Sequence, residues 1–306
     1  MSNQVNAAEL VQEIRRLKKE RDAVILAHLY QRPEVQDVAD FVGDSLGLSR
    51  QAASTGARVI VFCGVHFMAE SASILSPEKT VVLPEEGAGC PMADMVDAVQ
   101  LERKKQEIPG VAVVCYINTS AEVKAECDIA CTSSNATKVV ASLPPGPLLF
   151  VPDRNLGSYI ISQTGRDMIL WDGCCHTHDH LTAADIHKAK SEHPQALFLA
   201  HPECRPEVLA LADHVASTTG IINFARESDA REFIIGTEEG VLHQLRKQAP
   251  GKSFFMASDK LVCPNMKKTT LESVYKALLT LEPKVQVPEN IRLRASKCLE
   301  RMLSLA

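Results

Sequence analysis

The strongest constraint on how this chain folds is that one passage occurs in it three times: AHLYQRPEVQDVADFVGDS from Ala27, CYINTSAEVKAECDIACTS from Cys115 and AHPECRPEVLALADHVAST from Ala200. Aligned without a gap, the copies put His28, Tyr116 and His201 in one class, Tyr30, Asn118 and Glu203 in a second, and Ser45, Ser133 and Thr218 in a third. The offsets, 88 (116 − 28) and 85 (201 − 116), hold for all three classes. A triplicated unit can present like positions to one shared centre.

Each copy opens with an apolar run, AVILAH, VAVVCY or ALFLAH, whose length and β-branched content suit a strand buried on both faces. A helix begun by PEV or AEV follows. Pro33 and Pro206 fall in its first turn, where a missing N–H costs nothing. In the first copy Val35, Val38, Ala39 and Val42 are expected on its apolar face. Then come a segment ending in DS, TS or ST, a second helix, a strand (VIVFCG, LLFVPD, FIIGTE), a third helix and a last strand (TVVLPE, MILWDG, FFMASD). This alternation predicts an α/β chain of three pseudo-threefold-related α/β/α domains with parallel sheets around a central metal site. The expected spans are 1–108, which includes an N-terminal amphipathic helix, 109–194 and 195–306. Two helices near 269–281 and 288–303 lie outside the repeat and read as a closing element. Ligands of such sheets bind beyond the carboxyl ends of the strands, where the three residue classes sit.

Each copy is also followed by a cysteine in a loop-like context: Cys90 in GAGCPMAD, Cys175 in WDGCCHTH and Cys263 in KLVCPNMK, at separations of 85 (175 − 90) and 88 (263 − 175). One thiolate per copy predicts a three-cysteine metal site. Cys174 adjoins Cys175, and the repeat spacing favours Cys175. Three thiolates suit either zinc or an iron-sulfur cluster with one iron not held by protein. Both leave an open coordination position, the requirement of a Lewis acid. Cys63, Cys115, Cys127, Cys131, Cys204 and Cys298 read instead as small buried hydrophobes. His176 and His180 beside the second cysteine read as solvated.

Around the metal the repeat places two histidines, two tyrosines, an asparagine, a glutamate and three hydroxyls. Glu203 is the one carboxylate of its class and, with Tyr30, a candidate for proton transfer. Ser45, Ser133 and Thr218 are placed to cap helices and to offer neighbouring backbone donors to an anion. A net charge of −5 leaves no basic stripe for nucleic acid. The segment AAELVQEIRRLKKERDAVIL lacks the zones of a signal peptide, and no run reaches the roughly 18 apolar residues of a membrane span. A cytoplasmic protein with reduced thiols is expected. No glycine-rich fingerprint follows the first strand, which argues against a dinucleotide oxidoreductase. A zinc hydrolase on the same thiolates and an iron-sulfur sensor without turnover are the rivals, and a sensor has no use for the polar pocket.

The pieces AHLYQ, CGVHFMAE, LSPEKTVVLP, GCPMAD, YINTSAEVKA, PDRNLG, WDGCCHTH, HPEC, STTG and CPNMKKTTL run from end to end of the chain. In them the chain resembles the quinolinate synthase family, iron-sulfur enzymes of NAD biosynthesis. The resemblance implies a four-iron, four-sulfur (4Fe-4S) cluster on Cys90, Cys175 and Cys263 with one open iron acting as Lewis acid for dehydration. It implies condensation of iminosuccinate with dihydroxyacetone phosphate to quinolinate. The family pattern Trp-x-Gly-x-Cys-x-x-His falls on Trp171, Gly173, Cys175 and His178, which again selects Cys175. By motif, His28, Ser45, Tyr116, Ile117, Asn118 and Ser133 line the substrate site. So do His201, Pro202, Glu203 and Thr218, with Tyr30, His201 and Glu203 in catalysis. A functional link to L-aspartate oxidase or aspartate dehydrogenase is implied as well. Leu29 replaces a residue that is polar in many relatives and is expected to face packing. The CxxC that some relatives carry near the last ligand is absent, so no disulfide regulation is expected there.

Overall fold

A computed structural model of the chain describes residues 7–305. Among these residues twelve strands form three four-stranded sheets. In the first, β1 (Ala23–His28), β2 (Phe41–Gly43), β3 (Val59–Cys63) and β4 (Thr80–Val82) lie in the order β2-β1-β3-β4. β5 (Ala112–Tyr116), β6 (Ile129–Cys131), β7 (Leu148–Val151) and β8 (Ile169–Leu170) repeat that order as β6-β5-β7-β8. β9 (Leu197–Ala200), β10 (His214–Val215), β11 (Glu232–Gly236) and β12 (Ser253–Met256) repeat it again as β10-β9-β11-β12. Every pairing within the sheets is parallel. The register repeats too: Ala27 opposes Cys63, Cys115 opposes Val151, and Ala200 opposes Gly236.

Three of these strands, β2, β6 and β10, were not expected, and they correct the reading of the first helix. That helix spans Pro33–Val38; Ala39 is already extended at ψ 148°, and Val42 lies on β2 rather than on the helical face. The cause is an aspartate clamp. Asp40 Oδ2 accepts the Ile25 N–H at 2.8 Å while the Asp40 N–H donates to the Ile25 carbonyl at 2.9 Å, which draws the chain alongside β1. Asp128 does the same to Val113 at 2.7 and 3.0 Å, and Asp213 to Phe198 at 2.7 and 2.9 Å. The three aspartates keep the repeat offsets of 88 and 85.

By compactness the chain forms two units. One runs to Cys90 and resumes over Pro264–Leu293; the other takes Pro91–Cys263 and resumes at Arg294. In the first, helix Ala7–Glu20 buries Leu10, Ile14 and Leu17, the i, i+4, i+7 stripe of an amphipathic helix. These residues share a core with Ile25, Val61 and Val82 of the sheet and with Val274 and Leu278 of helix Leu271–Thr280. The helix expected near 269–281 thus completes the core of the first sheet. The helix expected near 288–303 spans Glu289–Ser304. Leu29 is buried, as expected of a packing residue. Among the described residues no helix is long and apolar enough to cross a membrane.

Candidate active site

In the second compact unit, His201 is the first residue after β9, and its N–H still pairs with the Gly236 carbonyl of β11 at 3.1 Å. The chain then turns, with the Cys204 N–H returning to the His201 carbonyl at 3.0 Å. This turn tucks Glu203 under two imidazoles. Its Oε2 lies 2.7 Å from His178 Nδ1 and 3.4 Å from His201 Nδ1, and the two rings stack with centroids 4.7 Å apart. His178 Nε2 lies 3.0 Å from Thr237 Oγ1, and His201 Nε2 lies 3.2 Å from Ser133 Oγ. His178 Nδ1–H can donate to the carboxylate while Nε2 faces the Thr237 hydroxyl. Burial pushes the Glu203 carboxyl up, but the His178 and His201 rings outweigh it and hold the group well below the usual carboxylate range. Glu203 Oε1 is buried and makes no hydrogen bond. Its anionic Oε1, with an unused lone pair and fixed by its twin, is placed to accept a hydrogen bond from a bound ligand.

Cys175 stands at the start of the short helix His176–Asp179, with its Sγ 3.2 Å from His178 Nδ1. One donor atom each of Cys175, His178 and Glu203 lie within 4.8 Å of one another, a sulfur, nitrogen and oxygen set suited to a metal ion. Cys174 is half-buried, and burial pushes its thiol up. Of the neighbouring histidines, His176 is partly buried and His180 exposed, whereas His178 is buried. Tyr116 and Ile117 are buried where β5 ends, and the Ile117 N–H is tied to the Cys131 carbonyl at 2.8 Å. Asn118 Oδ1 is buried without a hydrogen-bond partner. Pro202 and Thr218 are buried, and Cys263 is half-buried past β12.

The expectation that the three hydroxyls cap helices does not hold. Ser217 caps helix Thr218–Glu227 by accepting the Gly220 N–H at 3.2 Å, and Asp44 caps helix Ser45–Ser54 by accepting the Gly47 N–H at 3.0 Å. Ser45 and Thr218 are one residue inside. The position just before helix Ala136–Ala141 belongs to Asn135, two residues beyond Ser133.

Several residues around the site carried no signal in the repeat classes. Asp153 is fully buried and caps helix Arg154–Thr164 by accepting the Asn155 and Leu156 N–H groups at 2.8 and 2.9 Å. Burial, reinforced by the charge of Glu203, pushes its carboxyl well up. Asn155 Nδ2 donates to the Glu203 carbonyl at 3.1 Å and to Asp179 Oδ1 at 3.0 Å, and Arg205 braces the other Asp179 oxygen at 3.0 Å. Asp153 and Asn155 both belong to the PDRNLG piece. Carrying the register of β5 and β7 one turn further would have found them.

The first compact unit holds the other expected residues. His28 ends β1, and its Nδ1 accepts the Tyr30 N–H at 3.2 Å, with the two rings edge-on at 4.5 Å. The Tyr30 carbonyl is held by Lys267 Nζ at 2.8 Å, and the Lys267 carbonyl by Arg32 Nε at 2.7 Å. Ser45 is partly buried, as is Cys90 in the loop beyond β4.

A sequence model of the family described as "Quinolinate synthetase A protein" matches residues 12–304. The chain is 59% identical over 298 residues to the quinolinate synthase of Desulforudis audaxviator (strain MP104C), covering 97% of this chain and 98% of the relative. It is 58% identical over 301 residues to that of Geobacter metallireducens, covering 98% and 99%. The quinolinate synthase of Methanosarcina barkeri is 56% identical over 298 residues, covering 97% and 98%.

Proposed function

The chain belongs to the quinolinate synthetase A family, and from that premise we propose how its own residues carry the chemistry. The activity is quinolinate synthesis, a step of NAD biosynthesis. Iminosuccinate condenses with dihydroxyacetone phosphate, phosphate and two waters leave, and the pyridine ring closes.

We read 1–108, 109–194 and 195–306 as three copies of one unit, each supplying one thiolate. Cys90, Cys175 and Cys263 would hold a four-iron, four-sulfur cluster that leaves one iron without a protein ligand. The thiols present fit such a group. Those three are partly exposed past the last strands, as are Cys174 and, against the expectation of burial, Cys127, whereas Cys63, Cys115, Cys131, Cys204 and Cys298 are buried. Burial pushes Cys63 and Cys204 up, away from the thiolate a metal requires. When bound, the cluster supplies a Lewis-acidic iron that grips a hydroxyl or carboxylate and helps it leave.

The remaining work falls to side chains. Glu203 is the first proton-transfer group, and the observation that carries this assignment is its buried Oε1, without a hydrogen-bond partner, on a carboxylate that contacts His178 and His201. His201 packs against His178, receives the Glu203 N–H at Nδ1 and reaches Ser133 Oγ through Nε2. Tyr30 is the second proton-transfer group. Asn118, with an orphan Oδ1, offers an acceptor to a substrate N–H or O–H. His28, Ser45, Tyr116, Ile117, Ser133, Pro202 and Thr218 line the substrate site. The helix N-termini at Ser45 and Thr218 present backbone donors to phosphate and carboxylate.

Ten free thiols accord with a reducing, cytoplasmic setting. Iminosuccinate, a hydrolysable imine, calls for supply by an aspartate-oxidising enzyme such as L-aspartate oxidase or aspartate dehydrogenase.

The test is an anaerobic assay of the purified protein with iminosuccinate generated in place and dihydroxyacetone phosphate, read as quinolinate formed and iron retained. Cys175→Ala is expected to lose both, and Cys174→Ala to keep both. The reverse pattern would overturn the ligand assignment, and a colourless, zinc-containing wild type would overturn the cluster.

A further inference from the structure

The parallel register gives each repeat a matched position two residues past its third strand. Cys63, Val151 and Gly236 are register equivalents, so Val65, Asp153 and Glu238 are equivalents as well. In the second and third repeats this position holds a fully buried carboxyl group, and in the first it holds a valine. The mechanism above uses neither carboxyl.

Glu238 is engaged at both oxygens. Oε2 accepts the Gly240 N–H at 2.7 Å, and Oε1 accepts the N–H of Cys263 at 3.1 Å. Two main-chain donors on two oxygens is the pattern of a carboxylate. The turn is locked from its other side by the Glu239 N–H, which donates to the Leu261 carbonyl at 2.9 Å. Its neighbour Thr237 holds His178 and through it Glu203. One turn therefore anchors both a thiol and the proton acceptor. Asp153 sits likewise opposite the second cysteine. It pairs with Gly173 in a parallel bridge, and the Arg154 N–H donates to the Gly173 carbonyl at 2.8 Å. The Cys175 amide faces the Asp153 carboxyl. In the first repeat the equivalent position is a valine, and a main-chain tie stands beside it: the His66 N–H donates to the Ala88 carbonyl at 2.8 Å, two residues before Cys90.

We propose that Glu238 is a positioning residue for Cys263: its buried carboxylate fixes the cysteine backbone so that the thiolate meets the cluster, and its negative charge biases the cluster toward its oxidised form. Groups one step behind a metal ligand orient it and tune its redox potential. The inference rests on the cluster reading proposed above.

The test follows iron release from anaerobically purified protein into a chelator, together with the cluster's midpoint potential. Replacing Glu238 by glutamine leaves one N–H facing an amide NH2 and removes the charge. Glu238→Gln is expected to release iron ~10–100-fold faster and to shift the midpoint potential positive. Glu238→Asp keeps the charge but shortens the reach, so it is expected to release iron faster at the wild-type potential. Glu239→Gln, at the exposed next residue, is expected to match wild type in both. A wild type without iron would sink the cluster reading itself. A wild type that holds iron, with Glu238→Gln matching it in release rate or in potential, would overturn the positioning role and leave the cluster reading standing. If Glu238→Gln does not fold, Glu238→Asp decides: release at the wild-type rate overturns the proposal.

Discussion

The turn after β1 and the turn after β9 are built on one frame and end in different chemistry. In both, the first histidine accepts through Nδ1 the N–H two residues on, at 3.2 Å from Tyr30 and 3.4 Å from Glu203. In both, that histidine is buried at the end of a parallel strand. The difference is one side chain and its company. Tyr30 meets the edge of its own histidine, whereas Glu203 Oε2 meets the Nδ1 edges of two imidazoles that stack on each other. A copied backbone thus carries a phenol in one repeat and a buried carboxylate in another. Divergence among copies lets one repeated scaffold present different side chains at a matched position.

The largest expected effect breaks the acceptor. Glu203→Gln keeps shape and some hydrogen bonding but removes the basic oxygen, and kcat for quinolinate formation is expected to fall ~10²–10⁴-fold with iron content unchanged. Tyr30→Phe is expected to lower kcat less, toward the small end of that range. Should Glu203→Gln retain activity within about fivefold of wild type while Tyr30→Phe loses it, the two turns have their roles reversed.

A smaller effect sharpens the same comparison through pH. The Glu203 carboxyl is depressed in the folded chain below its ordinary 4.5. A depressed acid contributes stability that is complete above its unfolded value and is lost as pH falls through its folded value. The gap in urea midpoint between wild type and Glu203→Gln is therefore expected to be constant from pH 7 to about 5 and to narrow below 4.5. A gap that stays level at low pH would show that the imidazoles do not hold the carboxylate.

What the sequence made legible, and what it did not, follows the same division between pattern and company. The long first strands were readable because VILAH, VVCY and LFLA carry an apolar run that no loop would. β2, β6 and β10 were not, since two or three residues hold too little pattern to oppose a neighbouring helix signal. Their placement comes from Asp40, Asp128 and Asp213, whose partners lie 15 residues away across the sheet. Likewise Glu203 stood out as the one carboxylate of its class, but its pairing with His178 joins positions 25 apart by a route that only the turn after β9 creates. Ser45 and Thr218 were misread as caps because Asp44 and Ser217, equally good cap residues, precede them by one. Glu238 lay in plain view in FIIGTE, yet nothing in that string says that its carboxylate reaches Cys263.

The smallest expected effect tests whether the copies are still mechanically alike. Each aspartate clamp joins its strand to its neighbour by a charge-assisted hydrogen bond, and two of the three carry a lysine as well. Lys18 Nζ lies 2.6 Å from Asp40 Oδ1, and Lys190 Nζ lies 2.7 Å from Asp213 Oδ2. Among the described residues Asp128 has no such ion pair. Asp→Asn at any of the three keeps an acceptor for the backbone N–H, so the loss is confined to the charge. Such bonds contribute about 1–3 kcal/mol when sheltered and less at exposed sites like these. A fall of about 2 °C or less in melting temperature is expected for Asp40→Asn and Asp213→Asn, and a smaller one for Asp128→Asn. If Asp128→Asn costs as much as the others, the lysines add nothing to the clamp. The strand would then be held by the aspartate's bond to the backbone alone, the part that all three copies share.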